Sequence, residues 1–99
     1  MDTPILVTVR YTVKSGKREE LYQKIVEQHI DTASRAEEGN RKYDYYLPLD
    51  SENDLCLLEL WTSAQAQKEH SKTPHYQLLS ALKEQYVESA QIQIYPLAE

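Results

Sequence analysis

Residues Leu55 to Trp61 read Leu-Cys-Leu-Leu-Glu-Leu-Trp, and a β-strand with that sequence is apolar on both faces. Side chains alternate along a strand, so Leu55, Leu57 and Trp61 point one way while Cys56, Leu58 and Leu60 point the other. Strand two, Lys42 to Leu49, repeats the pattern less strongly, with Tyr43, Tyr45 and Leu47 on one side and Tyr46 on the other. An antiparallel sheet with helices on one face and water on the other should alternate apolar with polar. These strands therefore need cover on two sides, and a chain of 99 residues has helices enough for only one. The economical second cover is another copy of the sheet, so a homodimer with sheets face to face is expected. An uncovered apolar face would invite aggregation.

The elements around this strand follow from periodicity and turn chemistry. Ile5 to Lys14 is a strand rich in β-branched residues, with Val7, Val9, Tyr11 and Val13 on one face. Ser15-Gly16 turns the chain. Lys17 to about Glu37 reads as one helix, with Leu21, Tyr22, Ile25, Val26, His29, Ile30 and Ala33 at helical spacing. Gly39 should end it as a left-handed cap, and Asn40 can adopt the same conformation. Pro48 gives the second strand an edge position or a bulge. Asp50 to Asp54 is a polar turn into Leu55–Thr62. Ser63 is a suitable N-cap for a short helix ending near Lys72. Thr73 caps another that starts at Pro74 and runs to about Tyr86, and Gln91 to Leu97 is the last strand. The order βαββαβ is a ferredoxin-like α+β sandwich, an antiparallel sheet with helices on one face, in one domain spanning 1–99.

Charge excludes several partners. Eleven Lys and Arg against 16 Asp and Glu give a net charge of −5, the wrong sign for nucleic acid or an anionic membrane surface. The longest apolar run, Leu55 to Leu58, is far too short to cross a bilayer. The N-terminus, with acidic Asp2, lacks a signal pattern. One cysteine, Cys56, excludes an intrachain disulfide and a cysteine metal cluster, so a cytoplasmic protein is expected.

Eight tyrosines and no phenylalanine put hydroxyls wherever the chain needs aromatic bulk, on half-buried strands or lining a wet pocket. The three histidines are the catalytic candidates: His75, His70 and His29. His75 begins a helix, where the positive end of the dipole favours a neutral base. His70 ends the preceding helix, where the dipole favours the cation, which suits a surface or supporting role. His29 lies on the apolar face of the first helix. His70 and His75 are five residues apart across Pro74, not the i, i+4 pair that binds zinc on one helix face. No glycine-rich phosphate loop exists, since Gly16 and Gly39 are the only glycines. No metal and no other cofactor is expected. Trp61, Tyr43, Tyr45, Tyr76 and Asn40 are the candidate substrate contacts. Glu59, if buried, needs a partner, for which Arg10 and Arg41 are the candidates.

Five segments together carry a family likeness: Val13-Lys14-Ser15-Gly16-Lys17, Ser34 to Asn40, Tyr43-Asp44, Glu59-Leu60-Trp61, and His70-Ser71-Lys72-Thr73-Pro74-His75-Tyr76. In this order and spacing the chain resembles the antibiotic-biosynthesis monooxygenase superfamily of dimeric α/β-barrel proteins, essentially end to end. Two subfamilies are similar in the HSKTPHY and EEGN runs: cofactorless quinol monooxygenases and the isomerase of the phosphorylated autoinducer-2 signal. The haem-degrading relatives use an asparagine on strand one, and Ile5 to Lys14 contains none. The resemblance implies a small aromatic substrate and three expectations. The first is a cofactor-independent oxygenase of a quinol or polyhydroxylated aromatic, with His75 as base. The second is an isomerase of a small phosphorylated hydroxycarbonyl compound, with Lys72 or Arg41 receiving the phosphate. The third is a non-catalytic ligand-binding dimer, which a filled pocket would favour.

Overall fold

The computed structural model describes residues 3–98. Met1 and Asp2, part of the reading that no signal pattern opens the chain, lie outside the described residues, as does Glu99. Eight elements follow one another: β1 (Ile5–Val13), α1 (Arg18–Glu27), α2 (Ile30–Arg35), β2 (Asn40–Tyr46), β3 (Asp54–Trp61), α3 (Ala64–His70), α4 (Pro74–Tyr86) and β4 (Val87–Pro96). The strands form one antiparallel sheet in the order β2-β3-β1-β4. Among the described residues no helix is long and apolar enough to cross a membrane. This is the ferredoxin-like α+β fold that the element order implied.

Alternation along β1 is strict. Ile5, Val7, Val9, Tyr11 and Val13 are buried and the residues between them are half-exposed. Register carries the buried face across the sheet, with Val9 opposite Leu57, Val7 opposite Glu59, and Glu59 opposite Tyr43. Leu21, Ile25, Ile30, Leu79, Leu82 and Tyr86 from the helices close this core. The other face has no helix over it. Leu6, Leu58 and Leu60 are half-exposed there, within a rim that includes Thr8, Lys42, Asp44 and Gln93. On β4, Ile92 and Ile94 share the helix-bearing side but lie beyond the helices, 58% and 54% exposed.

The long first helix is in fact two. His29 adopts the left-handed conformation, φ 58°, and ends α1 before α2 begins at Ile30. The break has a packing cause. Ile25 and Ile30 are both fully buried, yet five residues on one straight helix would set them about 140° apart. One left-handed residue turns the second segment so that both enter the core, and it leaves His29 exposed, away from the apolar face expected for it.

Gly39 is also differently employed. Gly16 takes the positive φ of 76° that a tight turn requires, whereas Gly39 has none. Asn40 begins β2 instead of extending a left-handed cap. Gly39 is there because a Cβ would stand 2.4 Å from Ala66 Cβ and 3.2 Å from Thr62 Oγ1. Gly39→Ala is expected to lower stability by about 1–3 kcal/mol through overpacking, read from denaturant midpoints at unchanged m. An unchanged midpoint would refute the close-approach account.

The two later helices start as the sequence indicated. Ser63 accepts from the Ala66 N–H at 3.1 Å, and Thr73 accepts from the Tyr76 N–H at 3.2 Å with Pro74 in the first turn. α4 passes into β4 at Val87 with no loop, so the last strand starts four residues before Gln91.

Candidate active site

Three polar side chains meet where α3 ends, α4 begins and the α2–β2 connection passes. Glu37 Oε2 lies 2.5 Å from His70 Nδ1 and 2.8 Å from His75 Nε2. One carboxylate oxygen thus accepts from both rings, which assigns the Nδ1–H tautomer to His70 and leaves its Nε2 as the free lone pair. His70 is 2% exposed and packed by rings: Trp61 at 4.8 Å, Tyr76 at 5.2 Å and Tyr43 at 5.5 Å between centroids. Burial pushes the His70 imidazole below its ordinary pKa, and the Glu37 hydrogen bond works against that shift. The dipole at the C-terminus of a seven-residue helix does not outweigh this burial, so His70 is neither a surface residue nor biased toward the cation.

An interior cleft lies between the sheet and α4, walled by Val7, Tyr11, Tyr43, Glu59, His70 and Tyr76, with Gln67, Lys83 and Ile92 also lining it. Its free volume is about 40 Å³, close to that of a single water molecule. Glu59 is on its floor, 6% exposed, and its Oε1 accepts the Trp61 indole N–H at 2.9 Å. Burial pushes this carboxyl up to about 7, the indole N–H pulling the other way. Neither arginine is its partner. Arg10 is on the opposite sheet face, bonded to Asp54 at 2.6 Å and Asp50 at 2.9 Å, and Arg41 is exposed. Tyr11 and Tyr43, buried beside Glu59, are held un-ionised, their hydroxyl pKa values raised by burial first of all.

The sequence-predicted residues divide among these places. His70, Tyr43 and Tyr76 line the cleft. Trp61 stands behind it, fully buried, orienting Glu59 and stacking on His70. His75 joins the cluster through Glu37 but does not line the cleft. Tyr45 lines a different groove, its hydroxyl 3.5 Å from that of Tyr43. Asn40 donates to the Lys42 carbonyl at 3.0 Å, and exposed His29 is apart from all of them. Glu37 and Glu59 are the residues that sequence reasoning did not place in the site. Both lie inside the quoted family segments, Glu37 in the EEGN turn and Glu59 two residues before Trp61.

Glu37, His70 and His75 offer three ligand atoms within 4.8 Å of one another, a donor set of two imidazoles and a carboxylate. Metal bonds of about 2.1 Å would hold such atoms roughly 3.0–3.4 Å apart. The 2.5 and 2.8 Å separations are those of shared protons, so the set as built is a hydrogen-bonded hub. Lysines converge little. Lys83 lines the cleft, 5.3 Å from the Tyr76 ring centre, while Lys72 faces Glu69 at the surface.

A larger opening lies elsewhere. A groove of about 560 Å³ runs between α1 and the β2 edge, lined by Tyr22, Val26, Tyr45, Leu47 and Leu55, with Arg18 and Glu19 among its polar residues. It holds no histidine, whereas His70, Glu59, Tyr11 and Tyr43, all buried and titratable, line the smaller cleft. Size and chemistry therefore separate, and the chemistry places the candidate active site at His70.

Known proteins agree with this architecture. The chain is 38% identical over 73 residues to YcnE of Bacillus subtilis, covering 74% of this chain and 75% of that protein. It is 36% identical over 76 residues to Rv0793 of Mycobacterium tuberculosis, covering 77% and 72%. Both carry a provisional monooxygenase name. The solved structure of Rv0793 superposes with a TM-score of 0.84 at 30% identity over 97% of each chain. PA3566 from Pseudomonas aeruginosa, at 23% identity, shares the fold with a TM-score of 0.87, covering 100% of this chain and 98% of that one. The profile of the family described as antibiotic biosynthesis monooxygenase matches residues 4–81, so the chain belongs to that family.

Proposed function

We propose that the protein is a cofactor-independent monooxygenase that oxidises a quinol or polyhydroxylated aromatic with dioxygen. The observation that carries this reading is His70: buried, ring-packed, lining the cleft, its Nδ1 fixed by Glu37 and its Nε2 without a partner among the described residues. A neutral imidazole there takes the proton of a hydroxyl, and the resulting electron-rich anion gives an electron to dioxygen. Tyr11, Tyr43 and Tyr76 shelter the intermediates in low dielectric. His70 replaces His75 as the proposed base, because the Nε2 of His75 is engaged by Glu37.

An aromatic ring needs on the order of 150 Å³, so the cleft admits one only as its α4 wall yields. Tyr76 and Lys83 are the half-buried side chains on that wall. The same small volume favours a second reading, a non-catalytic ligand-binding dimer. Oxygen uptake separates the two. Metal-free protein with benzene-1,4-diol and naphthalene-1,4-diol is expected to consume oxygen above the uncatalysed rate. No uptake with either quinol would overturn the oxygenase reading.

The working unit is a homodimer in a reducing compartment such as the cytoplasm, where buried Cys56 stays a thiol. Two features support the dimer. The helix-free face has an apolar centre of Leu6, Leu58 and Leu60 inside a polar rim. On the helix-bearing side, the apolar groove by β2 and the exposed Ile92–Ile94 strip of β4 lie at opposite sheet edges. A two-fold axis that closes sheet on sheet brings the β4 strip of each copy to the groove of the other.

A further inference from the structure

Glu59 is the carboxyl of the cleft that the mechanism above leaves idle. It is 6% exposed, and among the described residues Trp61 is its only side-chain hydrogen-bond partner, through Oε1. No described side chain donates to Oε2. Its sheet neighbours on the same face are Val7, Leu57, Tyr43 and Trp61, none of them charged. The ionisable groups sharing its cleft are Tyr11 from β1, Tyr43 from β2, His70 from α3, and Tyr76 and Lys83 from α4. A buried carboxyl without a cationic hydrogen-bond partner costs stability, and that cost calls for a task in the cleft. Its proton is retained up to about pH 7, near the working range of a group that both gives and takes one.

We propose that Glu59 is a second catalytic residue of this site, protonating the peroxide formed on the substrate's ring carbon and then removing that carbon's hydrogen as a proton. The proposal rests on the oxygenase reading, and its chemistry balances with His70 as the other partner. His70 Nε2 takes the hydroxyl proton. The anion passes one electron to dioxygen, and the radical pair closes a carbon–oxygen bond to give a peroxide anion. Neutral Glu59 protonates the terminal peroxide oxygen. The Glu59 carboxylate then takes the proton from the same carbon as the O–O bond breaks, leaving a carbonyl. The departing hydroxide takes the proton held on His70 and leaves as water. Both residues return to their starting states, one oxygen atom is in the product, and the other is in water.

Without the carboxyl the peroxide has no proton source. The carbon–oxygen bond reopens, and the quinol leaves as the two-electron-oxidised quinone together with hydrogen peroxide. The test is therefore the ratio of hydrogen peroxide formed to oxygen consumed, with naphthalene-1,4-diol as probe and a no-protein control. Wild type should release less than about 0.1 peroxide per oxygen, and Glu59→Gln close to one, while still consuming oxygen because His70 is intact. Glutamine keeps an acceptor for Trp61, so a mere packing role would leave the ratio unmoved. Glu59→Asp, which restores an acid one methylene shorter, should recover part of the coupling. Equally low ratios in wild type and Glu59→Gln would overturn the proposal while leaving the oxygenase standing, and a wild-type ratio near one would overturn both. Absence of uptake by wild type would overturn both.

Discussion

Glu59→Gln is expected to be more stable than wild type at pH 8, by up to about 3 kcal/mol, and no more stable at pH 4. The folded carboxyl holds its proton to about pH 7, whereas the unfolded chain releases it near 4.5. Between those values the folded state binds more protons, so stability falls as pH rises. The cost is complete above pH 7, and a shift of about 2.5 units at 1.36 kcal/mol per unit sets its size. Amide replaces acid without loss of the Trp61 hydrogen bond, so the difference between the two proteins isolates this one ionisation. His70 works in the opposite sense: its depressed pKa removes stability as pH falls below 6.5, equally in both proteins. Denaturant unfolding from pH 4 to pH 8 checks the prediction. Parallel stability curves would mean that Glu59 is ionised in the folded protein and that the cleft is wetter than its packing indicates. A stabilising substitution that uncouples turnover would be a buried acid kept at the expense of stability, as catalytic groups often are.

The second large effect concerns assembly. Ile94→Asp is expected to convert the proposed dimer to a folded monomer. Ile94 is 54% exposed in the single chain, so the substitution leaves the core intact. In the proposed dimer it enters an apolar groove, and two-fold symmetry counts the loss twice. About 2 kcal/mol per site, from lost apolar burial and a desolvated charge, weakens dimerisation by roughly 4 kcal/mol, a factor near 10³ in Kd. Sedimentation velocity reads the mass, and far-ultraviolet circular dichroism reads the fold. A wild-type monomer, or a dimer indifferent to Ile94→Asp, would contradict the edge-to-groove closure.

The strands, the two N-caps and the topology were legible because each rests on local chemistry. Alternation in Ile5–Val13 and the hydroxyls of Ser63 and Thr73 each determine their own surroundings. What local reading missed depends on distance in sequence. The helix break at His29 answers to the joint burial of Ile25 and Ile30 against the sheet, which helical periodicity smooths over. Gly39 looks like a cap in sequence, yet its constraint is Ala66, 27 residues away. The exchange of roles between His70 and His75 has the same origin. Dipole reasoning uses each histidine's own helix, whereas the deciding contact is Glu37, 33 and 38 residues back along the chain. That Glu59 needs a partner if buried was visible, but its burial and its freedom from Arg10 follow from which sheet face each residue occupies.

On the proposed reading His70, held by Glu37, is the base. Oxygen uptake with a quinol, measured for His70→Gln and His75→Gln against wild type, tests it most directly. His70→Gln should lose about 10²–10⁴ in kcat, the usual worth of a positioned general base, and His75→Gln clearly less, since it removes only a support of Glu37. Full loss in His75→Gln with activity kept in His70→Gln would contradict the account and return the base to the start of α4.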